Sequence, residues 1–216
     1  MPAKASRPSA SVGFNLVAIG VIVAAGALAL AYGIDGLSRL RGDAPARDDT
    51  MLVRNIAGQT LTIPAGWMRL GREDRESFAS QIDLRLELST GQVDVTLLPR
   101  SRARASARLL DGVYLHQFMP NEVEGPAGLV GKPLYPTDGF EGETVWYDPL
   151  SGDPFVAKCA APLEKVGEAH CLRTVNLPSG LAAVYSFGAS ALVSWRQFDA
   201  EMAVPLKKIG ALQAPL

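Results

Sequence analysis

The stretch QIDLRLELSTGQVDVTLL, residues 81–98, decides the fold. Its first half alternates leucine or isoleucine with charged residues, and its second half alternates valine or leucine with Asp94 and Thr96. A period of two is typical of a strand that has one buried face and one wet face. Between the halves, Ser89-Thr90-Gly91 favours a turn. The stretch therefore predicts a β-hairpin of two antiparallel strands.

Short apolar runs bounded by glycine, proline and aspartate predict further strands on both sides of this hairpin. They cover residues 51–56, 59–63, 129–134, 143–147, 154–160, 170–177 and 181–187. Most are separated by short turns, which favours an antiparallel meander over parallel strands with helical crossovers.

Two other segments repeat apolar residues three or four apart, which is the spacing of one helix face. Residues 100–119 carry the stripe Leu109, Leu110, Val113 and Phe118, and Pro120 ends it. Residues 191–209 carry the stripe Trp195, Phe198, Met202, Leu206 and Ile209. The sequence therefore predicts an α+β domain, an antiparallel sheet of six to eight strands packed by two helices.

Residues 14–34, FNLVAIGVIVAAGALALAYGI, form an apolar run of 21 residues without a charge. As a helix, a run of about that length spans ~30 Å, the thickness of a bilayer's hydrocarbon core. The run predicts an N-terminal transmembrane helix. A cleaved signal peptide is the alternative, because Ala29-Leu30-Ala31 fits a small-x-small cleavage site.

The apolar run divides the chain into five expected parts. Residues 1–13 form a basic cytoplasmic tail, residues 14–34 the membrane span, and residues 35–50 a linker of mixed charge with glycine and proline. A soluble extracytoplasmic domain follows at 51–210, and 211–216 form a tail. Basic residues flank both ends of the span, so the positive-inside rule alone does not set the orientation.

Small residues recur four apart within the predicted span. Two such series occur, Gly20 with Ala24, and Ala25 with Ala29 and Gly33. Small residues at this spacing let two membrane helices approach closely, so they are candidates for a helix-packing stripe. The alternative is that they are ordinary filler in an alanine-rich helix.

Cys159 and Cys171 are the two cysteines of the chain. They lie on neighbouring predicted strands, and an antiparallel pairing brings them within the reach of a disulfide. Two buried thiols are the alternative. Because disulfides persist in oxidising compartments, the pair predicts that the domain lies in the periplasm, held at the inner membrane by the span. His170 adjoins Cys171 but points to the opposite face, so no metal site is predicted.

The sequence lacks the short motifs that carry enzyme chemistry. No G-x-S-x-G, S-x-x-K, H-E-x-x-H or glycine-rich phosphate loop occurs, so we predict a non-catalytic protein without a cofactor. Five acidic residues crowd the central loops: Glu122, Glu124, Asp138, Glu141 and Glu143. We interpret them as a solvated acidic region, with a carboxylate-dependent envelope hydrolase as the alternative.

Arg100, Arg102, Arg104 and Arg108 form the one basic run of the domain. The whole chain has 21 basic and 22 acidic residues, a balance without the basic footprint of a nucleic-acid-binding protein. Basic clusters bind anionic lipid headgroups or acidic protein partners, so the run is a candidate anionic-partner patch. The alternative is a solvated helix start.

The opening strand leads into Ile63-Pro64-Ala65-Gly66-Trp67, and the closing helix carries Trp195 and Phe198. With the antiparallel sheet between them, this order resembles PsbP/Mog1-like domains, which implies a non-catalytic accessory or binding role. The whole chain also resembles small anchored envelope proteins of bacteria.

Together these observations predict a membrane-anchored accessory or interaction protein of the bacterial cell envelope, with a membrane or periplasmic protein as its partner. A periplasmic domain that binds a lipid or small ligand is the alternative. It would require a largely apolar pocket between sheet and helix.

Overall fold

The computed structural model describes residues 50–69, 78–136, 142–162 and 167–214. They belong to a unit that spans Arg47–Leu216. Residues 1–49, with the predicted tail, membrane span, small-residue stripe and nearly all of the linker, lie outside the described residues and stay predictions. In the described part of the chain, no helix is long and apolar enough to cross a membrane.

Nine strands and two α-helices occur in the described ranges. The strands are β1 (Met51–Ile56), β2 (Gln59–Pro64), β3 (Ile82–Leu88), β4 (Gly91–Pro99), β5 (Val130–Pro133), β6 (Glu143–Tyr147), β7 (Val156–Ala160), β8 (His170–Asn176) and β9 (Leu181–Gly188). The helices are α1 (Ser106–Gly112) and α2 (Trp195–Lys208).

Seven of the strands form one antiparallel sheet in the order β3-β4-β9-β8-β7-β6-β5. The predicted hairpin is confirmed, because β3 pairs with β4 from Ile82↔Leu97 to Leu88↔Gly91. β1 and β2 form a separate two-stranded sheet. The Thr62 backbone N–H donates to the Ile209 carbonyl over 3.2 Å, which ties this small sheet to the end of α2. The α+β class and the antiparallel sheet are thus confirmed.

The two helices pack on opposite faces of the large sheet. α2 covers the face that presents Tyr185 and Phe187, and its Phe198 ring centroid lies 4.6 Å from that of Phe187. On the other face, Leu110 of α1 joins a cluster with Val145 and Val156. The residue after Val156 belongs to the first cluster, as expected because successive strand residues point to opposite faces.

The first predicted helix is wrong in extent. Residues 100–119 form a 3-10 turn at Arg100–Arg102, the short helix α1, and a second 3-10 turn at Tyr114–Gln117. Val113 leaves helical geometry with φ of −135°, directly after Gly112, a poor helix former. Phe118 stacks on Tyr147 with ring centroids 5.9 Å apart. Packing against the sheet, rather than helix periodicity, thus sets the path of this segment.

The fold continues slightly past the expected end of the domain. Ala211 is fully buried, and its backbone N–H donates to the Leu206 carbonyl over 2.9 Å. Leu212 also packs against the core. The first residues of the expected C-terminal tail therefore belong to the packed structure.

Candidate functional site

The segment that carries the arginine patch (Arg100, Arg102, Arg104 and Arg108) runs from the end of β4 into α1. The Arg100 backbone N–H donates to the Gly180 carbonyl over 3.1 Å, next to the start of β9. Arg102 Nη1 donates to the Ser80 carbonyl over 3.1 Å. α1 then lies against β7 and β8. The segment thus crosses the end of the sheet from β4 to β7 and is fixed there by hydrogen bonds.

All four arginines of the patch are exposed. Within the described ranges, no carboxylate oxygen lies within 4.0 Å of their guanidinium nitrogens, whereas five other basic residues have such a partner. Four positive charges within nine residues raise the local potential and attract anionic groups. The structure therefore brings the predicted arginines together on one segment and leaves them without an ion pair to the described acids.

β7 and β8 diverge next to this patch. Their register pairs cover Lys158↔Leu172 to Ala160↔His170, three positions, and do not extend towards Val156. Where the backbone hydrogen bonds between β7 and β8 stop, side chains form hydrogen bonds with the backbone instead. Ser106 Oγ accepts from the Thr174 backbone N–H over 2.9 Å, and Arg173 Nη1 donates to the Val156 carbonyl over 3.2 Å. These contacts satisfy backbone groups that the divergence would otherwise leave unpaired.

A cleft of about 260 Å³ opens at this divergence, and we call it the fork cleft. Its polar lining consists of Arg100, Arg108, Asp153, Arg173, Thr174 and Asn176. Among the described atoms, Asn176 Oδ1 is buried without a hydrogen-bond partner. The fork cleft therefore presents cationic groups in a recess, a feature that would bind an anionic group from outside.

Arg173 is the buried cation of this region, with 6% of its surface exposed. Its Nε and Nη2 donate to the two carboxylate oxygens of Asp199 on α2, over 3.0 and 2.5 Å. The guanidinium also stacks on the Phe155 ring, 4.3 Å from its centroid. This arginine links the sheet to α2 through its ion pair and its stacking contact, so its main role is structural.

The predicted disulfide between Cys159 and Cys171 is confirmed. The two residues are direct register partners on β7 and β8. Both are buried, at 4% and 0% exposure. The bond lies within the three paired positions of these strands, so it reinforces the sheet beside the fork cleft.

A groove of about 780 Å³ lies between the edge strand β3 and helix α2. Its apolar lining includes Trp67, Leu88, Val204 and Pro205. Val204 is 71% exposed, so the groove is a surface feature. Between sheet and helix themselves, aromatic rings fill the space, among them Phe187 and Phe198. The place where a pocket for a lipid or small ligand was expected, between sheet and helix, is therefore filled by side chains in the described part of the chain, and the groove is a separate feature at the edge of the sheet.

The described acidic residues of the central loops pair with lysines or face solvent. Glu122 and Glu143 form ion pairs with Lys132 and Lys158, at 3.0 and 2.5 Å. Glu124 is exposed. The other two expected acids, at 138 and 141, lie outside the described residues. Within the described ranges, no group of three His, Cys, Asp or Glu residues could hold a metal ion.

Sequence reasoning missed a Ser–His pair on the sheet face opposite α2. Ser186 Oγ lies 2.7 Å from His170 Nε2, on adjacent strands. Ser186 pairs with Asp94 of β4 on one side and with Leu172 of β8 on the other. The sheet ladders use the backbone N–H groups around Ser186, so they are not free to stabilise an oxyanion. The two residues are 16 apart in the sequence and share no local motif, so the sequence contains no signal for this pair.

Asp94 lies next to that pair and is held by arginines. The hydrogen bond from Arg85 Nε, 2.8 Å long, lowers the pKa of Asp94 below its ordinary value. The pKa of Glu168 is also lowered, by the hydrogen bonds that it accepts from Ser190. Both of these pKa values are thus lowered, opposite to the raised pKa that a general acid requires.

No protein-family model matches the sequence, and no characterised protein matches it significantly. Among solved structures, an immunity protein of the Stenotrophomonas maltophilia type IV secretion system has a similar fold, with a TM-score of 0.53 and 11% sequence identity. The similarity covers 74% of this chain and 93% of that protein. At such low identity it shows the fold alone. The resemblance to PsbP/Mog1-like domains stays a prediction.

Proposed function

We propose that the chain is a non-catalytic, membrane-anchored interaction protein of the bacterial cell envelope. Its domain lies in the periplasm and binds an acidic surface of a protein partner through the arginine patch. The observation that carries this proposal is the run of four exposed arginines, fixed along the end of the sheet, with no described carboxylate within 4.0 Å.

The fold similarity agrees with a non-catalytic role. The similar structure is that of an immunity protein, and its fold covers most of this chain. A rigid antiparallel sheet with a charged segment fixed along one end offers a preformed surface. Binding to a preformed surface costs little ordering entropy.

Two features support the periplasmic location. The Cys159–Cys171 disulfide indicates an oxidising compartment. The uncharged run at residues 14–34 is long enough for an uncleaved anchor that keeps the domain at the inner membrane. The disulfide and the uncharged run thus both support this proposed location.

Co-purification from native membranes tests the proposal. The tagged full chain, extracted in mild detergent, should retain a stoichiometric protein partner. Replacing the four arginines by glutamine (R100Q, R102Q, R104Q and R108Q together) should reduce the retained partner at least about fourfold, since exposed ion pairs contribute ~0.2–1 kcal/mol each. High salt should release the partner from the wild-type chain because it screens exposed charges.

A single-charge variant on α2, Lys207→Gln, serves as the control and should retain the partner at the wild-type level. Equal recovery of the partner by the four-arginine variant, at unchanged thermal stability, would show that another surface binds it.

A second candidate function rests on the groove between β3 and α2. Its apolar lining and its volume of about 780 Å³ suit an apolar small molecule or a lipid chain. Native mass spectrometry of the same preparation separates the two proposals. A bound small molecule that Val204→Glu removes would favour the ligand-binding function, whereas a bound protein that the arginine variant removes would favour the interaction function.

A further inference from the structure

We infer that the fork cleft is an anchor pocket for one carboxylate side chain, an aspartate or glutamate, that projects from the partner. This inference rests on the proposed function and gives it a chemical detail. The patch as a whole would attract the acidic surface, and the fork cleft would hold one of its side chains.

The cleft provides donors for a carboxylate. Arg100 and Arg108 both line it, and neither is paired with a described acid. A guanidinium presents several N–H groups in a planar fork that matches a carboxylate, and charge-assisted hydrogen bonds of this kind are the strong ones. In a recess these bonds are screened less than on a convex surface.

The other charges of the cleft decide how much of this attraction remains. Arg173 is already paired with Asp199, so it contributes little net charge. Asp153 also lines the cleft and opposes a second carboxylate, although it lies more than 4.0 Å from the guanidinium nitrogens of Arg100 and Arg108. Because the two arginines outnumber the one aspartate, the cleft keeps a net positive charge that one carboxylate would neutralise.

The cleft is large enough for one side chain but too small for a drug-sized molecule. Its volume of about 260 Å³ lies below the range of about 300–1,000 Å³ that pockets for drug-sized molecules occupy. A carboxylate on a short stem fits, together with ordered water. The walls are preorganised by the bonds from Thr174 to Ser106 and from Arg100 to Gly180.

The patch contains its own matched control. Arg102 and Arg104 belong to the same segment but do not line the fork cleft. The double variants R100Q/R108Q and R102Q/R104Q therefore remove the same charge, one pair inside the cleft and one outside. General electrostatic attraction predicts equal effects of the two variants, whereas an anchor pocket predicts unequal ones.

The test is an NMR titration of the full chain in mild detergent, labelled with 15N-arginine, with the peptide acetyl-GSEGS-amide as the probe. The Nε–Hε signals of Arg100 and Arg108 should shift saturably, and those of Arg102 and Arg104 should not. R100Q/R108Q should weaken binding about tenfold or more, and R102Q/R104Q less than about threefold. Asp153→Asn should strengthen binding, since it removes the opposing charge.

Three results would overturn the inference: equal losses from the two double variants, equal binding of the peptide acetyl-GSQGS-amide, or no saturable shift of the cleft arginines. Equal weakening of partner recovery by both double variants would leave the proposed function standing without the pocket. Partner recovery that no arginine affects would remove the proposed function itself.

Discussion

Replacing Asp199 by alanine is expected to lower the free energy of unfolding by about 3 kcal/mol, the lower end of the cost of breaking a buried ion pair. The change leaves the Arg173 guanidinium buried without its carboxylate. The lower end applies because the Asp199 side chain is 51% exposed, so water partly replaces it. Urea denaturation followed by tryptophan fluorescence measures the loss.

A second substitution identifies the cause of this loss. Adding Arg173→Met to Asp199→Ala removes the stranded charge and keeps an apolar stem over Phe155, so most of the stability should return. Glu201→Ala on the same helix removes only the exposed contact with Ser89 and should cost less than about 0.5 kcal/mol. A double variant that is less stable than Asp199→Ala alone would refute the stranded-charge account.

Removal of the disulfide is expected to cost about 3 kcal/mol, because Cys159 and Cys171 close a loop of about a dozen residues. Alanine is the right replacement for both, since both sites are buried and serine would leave buried hydroxyl groups there. The loss should be large for this fold because the bond lies in the shortest strand pairing next to the fork cleft.

Reduction provides the matched control for the disulfide. Dithiothreitol should lower the denaturation midpoint of the wild-type chain and leave the double alanine variant unchanged. Thiol trapping in intact cells should find both cysteines oxidised if the domain lies in the periplasm. Reduced cysteines in cells would contradict the location, and a wild-type midpoint that reduction does not move would contradict the stabilising role.

Local pattern was enough to predict the hairpin and the strand content. The alternation from Ile82 to Leu97 is set by burial of one face, and the structure places those residues as expected. Periodicity failed for residues 100–119, because the apolar stripe there packs on the sheet through Phe118 and Tyr147 rather than along one helix. The spacing of residues within one segment does not show which distant strand that segment will pack against.

The candidate site was predictable only in part. The arginine patch and the cysteine pair were visible, since the arginines are close in sequence and the cysteines fall on neighbouring strands. The fork cleft was not, because it depends on a missing ladder between β7 and β8 and on side-chain contacts across 68 residues, from Ser106 to Thr174. The Ser186–His170 pair was missed for the same reason.

Photo-crosslinking in the native cells is the most direct test that the arginine patch binds a protein partner. A photoreactive residue at the exposed position of Ser101 keeps all four arginines, and one at Val193, which is 78% exposed in the turn before α2, provides the control. We predict one crosslinked protein from position 101, none from position 193, and loss of the crosslink when the four arginines become glutamine. No crosslink at position 101, or a crosslink that survives that change, would contradict the account.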